Sequence, residues 1–196
     1  MSQKSRTLKN VIAFVAIANL LYFFVEFLSA INGGSVSLFA DSIDFLEDGL
    51  INILILLALN WHSNKRVIIG RFLAAFMLIP SLATLWSLFM KISSQSIPQS
   101  DILYKVGAGA FLVNLICAIS LSVYRNHSSS LVKAAFLSSR NDLLANIMII
   151  CAGFVTTFYV SFIPDYIVGV LIAILNFNGA KEVWSAANNE KADLRS

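Results

Sequence analysis

The sequence predicts an all-α integral membrane protein, a bundle of six transmembrane helices with both termini in the cytoplasm. Composition is the first observation behind this prediction. Of the 196 residues, 58% are hydrophobic and 13% are charged, and the mean hydropathy is +0.77. Soluble domains carry a charged fraction of about 25%. The second observation is that the apolar residues fall into six stretches of about 20 residues, the length at which a helix crosses a bilayer.

The six predicted spans follow one another with short polar links between them. They are residues 8–28, 36–59, 68–90, 103–124, 131–158 and 163–184. The clearest break is the link at 92–101, which contains Pro98 and several serines. The first span is too long for the apolar core of a cleavable signal peptide, so we expect it to remain as an anchor. We therefore expect one membrane domain, residues 1–185, and a short polar cytoplasmic tail, residues 186–196.

Basic residues indicate the orientation. Eleven lysines and arginines lie on the side that holds both termini, whereas only Lys91 and Lys105 lie on the other side. Short cytoplasmic loops carry the excess of basic residues, so both termini are predicted to be cytoplasmic. The same distribution explains the formal charge of +3 by topology, not by nucleic-acid binding. We expect a multi-pass protein whose partner is the lipid bilayer of the cell membrane, the bacterial inner membrane in particular.

The second span carries four carboxylates within eight residues, in the run ADSIDFLED at 40–48. A charged side chain near the bilayer centre costs at least ~2.5–3.5 kcal/mol, so such residues normally face a polar pathway. Asp44 and Asp48 are four residues apart and project from one helix face, which Asp41 shares. Carboxylates stacked in this way form half of an oxygen-ligand cation site. Glu47 is the fourth acid of the run.

A second polar group lies in the fifth span, within AAFLSSRNDLLANIMII. Ser138 and Asp142 are four residues apart and so share a helix face. The second and fifth spans enter the membrane from opposite sides. At a rise of ~1.5 Å per residue, Asp48 and Asp142 both lie about 18 Å from the outer surface of the apolar core. The geometry therefore permits a shared site between these two spans.

Arg140 is the only basic residue deep in any predicted span, and it opens an alternative interpretation. The buried acids could simply be paired with protein groups. One guanidinium cannot neutralise five carboxylates, so some of these must be protonated, hydrated or bound to a cation. We expect the site to survive if Arg140 reaches Asp41 or Glu47 away from the cavity. An ion pair between Arg140 and Asp142 would instead fill the cation site with protein.

The run SVSLFADSIDFLEDGL at 35–50 resembles the second transmembrane helix of the cation diffusion facilitator (cation efflux) family, whose members move divalent metals against protons. Residues 131–146 and 163–184 are similar to the fifth and sixth helices of that family. The resemblance implies metal ligands at Asp44, Asp48 and Asp142. Ser138 stands where the family has histidine or aspartate, and it is a weaker candidate, as is Asp41.

The resemblance implies a secondary transporter that exports a divalent cation from the cytoplasm in exchange for protons. It implies no enzymatic activity and no cofactor, because the metal is the transported substrate. The candidates are Mn²⁺, Fe²⁺, Zn²⁺ or a similar ion. The all-oxygen ligand set suits Mn²⁺ or Mg²⁺ better than zinc, with Fe²⁺ between. Family members typically carry a cytoplasmic domain after the sixth helix. We expect a short form without it, in which any homodimer forms through membrane helices.

Two alternatives stay open at this point. In the first, Ser138 and Arg140 mark a degenerate site, and the protein is a non-transporting relative that acts as a membrane partner or regulator. In the second, the protein is a membrane-embedded metal-dependent phosphotransferase, a class that also uses clustered aspartates. The usual D-x-x-D-G-x-x-A-R pattern of that class is not matched, since Asp48 and Gly49 are followed by Leu-Ile-Asn.

Overall fold

The computed structural model describes residues 3–58, 68, 72, 75, 82, 85–91, 95–124 and 130–193. All regular structure in this part of the chain is helical, which confirms the predicted all-α class. Residues 68, 72, 75, 82 and 85–91 are helical, and most of the third predicted span lies outside the described residues. The other helices are α1 (Gln3–Gly33), α2 (Val36–Ala58), α3 (Ser100–Ser122), α4 (Ser130–Phe158) and α5 (Ile163–Asp193).

The helices match the predicted spans closely at some ends and exceed them at others. The start of α2 coincides with the predicted start at residue 36, and the end of α4 with the predicted end at 158. In contrast, α1 extends beyond its predicted span at both ends, and α5 continues past residue 184. Hydropathy marks only the apolar part of a helix, whereas the backbone hydrogen bonds continue into the polar turns that flank it.

Several helices have the length and composition of membrane spans. Among the described residues, Thr7–Gly33, Ser100–Ser122 and Ser138–Phe158 are long and apolar enough to cross a bilayer. The apolar part of α5 is shorter, and α2 has 23 residues but carries four acids. The outer helix faces expose large apolar side chains such as Leu21 and Phe24. Contiguous apolar surface of this kind is typical of a face that contacts lipid, so the fold is that of a multi-pass membrane protein.

Helix α2 occupies the middle of the bundle, because it packs against α1, α4 and α5. Two apolar clusters lie at opposite ends of it. One contains Leu8 and Ile12 of α1 with Ile55 at the far end of α2. The other contains Leu38 near the start of α2 and Ile149 of α4. The acidic part of α2 lies between these two clusters, so the bundle has an apolar layer at each end and a polar layer in the middle.

The turn between α1 and α2 is tight and determines where α2 begins. Gly34 has a φ of +63°, a left-handed conformation that glycine adopts without a steric cost. Ser35 then caps α2, because its Oγ accepts a hydrogen bond of 3.1 Å from the Leu38 N–H. The turn leaves α1 and α2 antiparallel and in extended contact.

Helices α3 and α4 lie in close contact at Gly153. A Cβ atom on Gly153 would lie 2.9 Å from the backbone nitrogen of Tyr104 and 3.1 Å from the carbonyl oxygen of Ser100. Backbone atoms cannot move aside as the end of a side chain can. Only a residue without a side chain allows this approach, which is how small residues serve helix packing in membranes.

We therefore expect Gly153→Ala to lower the thermal stability of the purified protein. Overpacking of a tight contact typically costs about 1–3 kcal/mol. Val155→Ala is the control, because Val155 is half exposed on the same helix and its shortening removes little packing. Melting of both variants in detergent, followed by tryptophan fluorescence, measures the difference. Equal melting temperatures for the two variants would contradict the close approach.

Candidate cation site

Helix α2 buries all four of its acids. Asp41, Asp44, Glu47 and Asp48 have exposed fractions of 0%, 8%, 6% and 5%. At 100° per residue, the four acids fall within an arc of about 120° of the helix circumference. They are all buried because α2 has neighbours on several sides. Each aspartate consequently meets a different partner.

Asp48 faces α4. Its carboxyl group lies within hydrogen-bonding reach of the Asp142 carboxyl group. Ser138 donates a hydrogen bond of 2.8 Å from its Oγ to Asp48 Oδ1. The structure therefore brings together three of the five residues that the sequence analysis selected, on the two helices and at the shared level that it expected.

Asp44 faces α5 instead. The Nδ2 of Asn176 donates a hydrogen bond of 2.5 Å to Asp44 Oδ1. Within the described residues, no group of three or more histidine, cysteine, aspartate or glutamate side chains is arranged to hold a metal ion. Neutral donors occupy the positions beside the acids: Ser138 beside Asp48, and Asn176 beside Asp44. Asn176 was not among the candidate site residues, although an asparagine inside an apolar helix indicates an interhelical hydrogen bond.

Asp41 belongs to a separate group on the side of α1. Its carboxyl group is within hydrogen-bonding reach of Glu26, a fully buried acid of α1. On its other side, Asn146 Nδ2 donates a hydrogen bond of 2.5 Å to Asp41 Oδ2. Asn146 in turn accepts a hydrogen bond of 3.0 Å from Asn114 Nδ2. The contacts of Asp41 are thus with Glu26 and Asn146 and not with the pair of Asp48 and Asp142.

Arg140 does not enter the acidic layer. Its side chain is exposed, and its Nη2 donates a hydrogen bond of 3.4 Å to the neighbouring Asn141. Among the described residues it forms no ion pair with any of the acids. The guanidinium therefore does not take the place of a cation between Asp48 and Asp142, and the alternative of a site filled by Arg140 is not what the structure shows.

One buried ion pair was not anticipated from the sequence. Asp165 of α5 is fully buried and lies 3.0 Å from the Lys91 Nζ, although the sequence analysis had used Lys91 only as a basic residue on the side opposite the termini. The Asp165 carboxylate also accepts hydrogen bonds from the backbone N–H groups of Val36 and Ser37 and from the hydroxyls of Ser35 and Ser37. Lys91 further donates to the Gly34 carbonyl.

This network joins the first turns of α2 and α5 to the helical residues 85–91. A carboxylate is well placed there, because the backbone N–H groups and the dipole at a helix N-terminus both favour negative charge. The carboxylate of Asp165 is neutralised by Lys91 and has hydrogen bonds to both of its oxygens. We conclude that this acid is structural, in contrast to those of the central layer.

We expect Asp165→Asn to destabilise the protein strongly, because it removes one charge of a buried ion pair. Breaking one partner of a buried pair costs about 3–5 kcal/mol. The matched control is Asp101→Asn, which breaks the exposed ion pair with Lys105. Exposed pairs contribute about 0–1 kcal/mol. Thermal melting in detergent compares the two variants. Equal decreases in melting temperature would show that the buried ion pair stabilises the protein no more than the exposed one.

The fold and the acidic layer together define a multi-pass membrane protein with an acidic interior. The model of the cation efflux transmembrane domain matches residues 12–186. The chain therefore belongs to the cation efflux family, as the resemblance of its second, fifth and sixth spans predicted. The comparison with curated proteins finds no match. Members of the family are transporters of metal cations and not enzymes, so the metal is a transported substrate and not a cofactor.

Proposed function

We propose that the protein exports a divalent cation from the cytoplasm in exchange for protons, with Asp44, Asp48 and Asp142 as the principal ligands. The observation that carries this proposal is the meeting of the buried Asp48 and the half-buried Asp142, from two antiparallel helices. No basic side chain among the described residues is paired with either of them. Two adjacent carboxylates without a counter-charge repel each other unless a proton or a cation lies between them.

The neighbouring donors can be converted into ligands without moving the helices. The Ser138 hydroxyl can rotate to turn a lone pair toward the cation. The Asn176 amide can turn by half a rotation to present its oxygen, and the choice of amide orientation in a structure is an assignment from hydrogen bonds. The resulting set consists entirely of oxygen atoms. Hard ions such as Mn²⁺ and Mg²⁺ prefer such a set, so Mn²⁺ is the first substrate to test.

Exchange with protons follows from the burial of the carboxylates. Ionised groups are disfavoured in an apolar interior, so the acids retain protons when no cation is bound. A cation displaces those protons, because carboxylate ligands must be deprotonated. Apolar clusters lie on either side of the acidic layer, one toward each end of α2. Transport then requires the helices around α2 to rock, so that the layer opens to one side at a time.

The membrane topology is part of the same proposal. Six spans place both termini in the cytoplasm, as the basic residues indicate. The membrane domain is residues 1–185 and the polar tail is residues 186–196. The location is the cell membrane, and any homodimer would form through the outward apolar faces of the helices. The membership of the family supports a multi-pass protein, and the finer topology rests on the distribution of charge.

We expect Asp48→Asn and Asp142→Asn to abolish transport, with at least a 10-fold loss of flux. Loss of an outer-shell partner of a metal ligand already costs about 10–100-fold, and removal of a ligand should cost no less. The assay is uptake of Mn²⁺ into proteoliposomes with an acidic interior. Asp101→Asn, which alters an exposed carboxylate, should keep the wild-type flux. Unchanged flux in both ligand variants would overturn the proposal.

Proton coupling has its own test in the same vesicles. Because the outward movement of protons drives the entry of the cation, uptake should stop when a protonophore collapses the pH gradient. Uptake should resume when the pH gradient is imposed again. Uptake that continues at the same rate without a gradient would contradict the exchange of cations for protons. A protein that neither binds nor moves Mn²⁺ would instead be the non-transporting relative, an interpretation that the neutral donors beside Asp44 and Asp48 favour.

A further inference from the structure

We propose that Glu26 and Asp41 form a second cation site, separate from the pair of Asp48 and Asp142, which binds a hard divalent cation such as Mn²⁺. The inference rests on the proposed function in one respect, since the ion would be the one that the protein transports. The observation that points to a ligand is a set of buried oxygen atoms that protein groups leave without partners.

Three buried carboxylate oxygens of Glu26 and Asp41 receive no hydrogen bond from a protein donor among the described residues. Glu26 and Asp41 are both 0% exposed. Both oxygens of Glu26 and the Oδ1 of Asp41 have no hydrogen-bond partner. Tyr22, on the same face of α1 as Glu26, donates its hydroxyl hydrogen to the Val106 carbonyl at 2.6 Å and so does not serve the acids. Leaving charged oxygens buried and unpaired is costly, so a bound species is required.

Asp41 is held in the orientation that such a site needs. Asn114 donates to Asn146 Oδ1, which leaves the Nδ2 of Asn146 to face Asp41 Oδ2. The two amides therefore determine which oxygen of Asp41 is engaged by protein and which one faces Glu26. Outer-shell hydrogen bonds of this kind commonly orient the carboxylates that bind metals.

A divalent cation fits this arrangement better than a proton. Two protons would balance both charges, as they do when no cation is bound, but each proton bridges at most two oxygens, and one shared proton leaves a net negative charge. A divalent cation balances both charges and can contact all three oxygens. No basic side chain among the described residues forms an ion pair with Glu26 or Asp41. Because all the ligands are oxygen atoms, the site favours hard ions.

The position of the site gives it a place along the transport path. Asp41 precedes Asp48 by seven residues on the same face of α2, which corresponds to a separation of about 10 Å along the helix axis. It lies toward the end of the bundle at which Asp165 caps α2. A cation that leaves the pair of Asp48 and Asp142 toward that end would reach Glu26 and Asp41 next.

The test is the stoichiometry of Mn²⁺ binding to the purified full-length protein in detergent, measured from the electron paramagnetic resonance signal of free Mn²⁺. We expect two bound ions in the wild type, one in Glu26→Gln, one in Asp48→Asn and none in the double variant. Glutamine keeps the shape of Glu26 and removes its charge. Asp101→Asn should retain two ions. The two ions should also broaden each other's spectrum in the wild type, as expected at about 10 Å.

Two bound ions in Glu26→Gln would overturn the inference, and so would a single wild-type ion that is lost only in Asp48→Asn. If Glu26→Gln does not purify as a folded protein, Asp41→Asn provides the same test with the same expected loss of one ion. If Glu26→Gln binds one ion fewer and Asp48→Asn does not, the second site is supported. The same result would contradict the proposal that Asp48 is a ligand of the first site. A wild type that transports Mn²⁺ but binds only one ion would overturn the inference alone.

Discussion

The excess of buried negative charge is the constraint on which the rest of this structure depends. Five buried carboxylates and the half-buried Asp142 lie between two apolar clusters, the five being Glu26, Asp41, Asp44, Glu47 and Asp48. Hydrogen bonds from Ser138, Asn146 and Asn176 orient three of these acids but carry no charge. A layer of this kind is stable only when mobile positive charge, either protons or metal cations, occupies it. Structure and transport are therefore linked by one electrostatic requirement.

Asp165 shows how a structural acid differs from those of the central layer. It is as deeply buried as Asp41, yet Lys91 neutralises it and hydroxyl and backbone N–H groups satisfy its oxygens. Asp41 and Glu26 share no such counter-charge among the described residues and retain unpartnered oxygens. Burial alone therefore does not identify a functional acid in this bundle. The partners of each carboxylate do so, because they determine whether a mobile ion is needed.

Much of the site could be predicted, but its division into groups could not. The spacing of Asp44 and Asp48, and that of Ser138 and Asp142, identified the two helices and the level at which they meet. The same spacing placed Asp41 with Asp44 and Asp48, whereas its contacts are with Glu26 and Asn146. Sequence separation within one helix says which residues share a face. It says nothing about which neighbouring helix that face meets.

The sequence by itself determined the membrane class, the approximate helix limits and the two acid-bearing helices, because hydropathy and helical periodicity are local properties of the chain. Only the tertiary structure decided that Arg140 lies outside the acidic layer, that Lys91 is buried against Asp165, and that Glu26 opposes Asp41. These contacts depend on the rotation of each helix about its axis and on how closely helices approach, as at Gly153. Packing between distant segments sets both quantities.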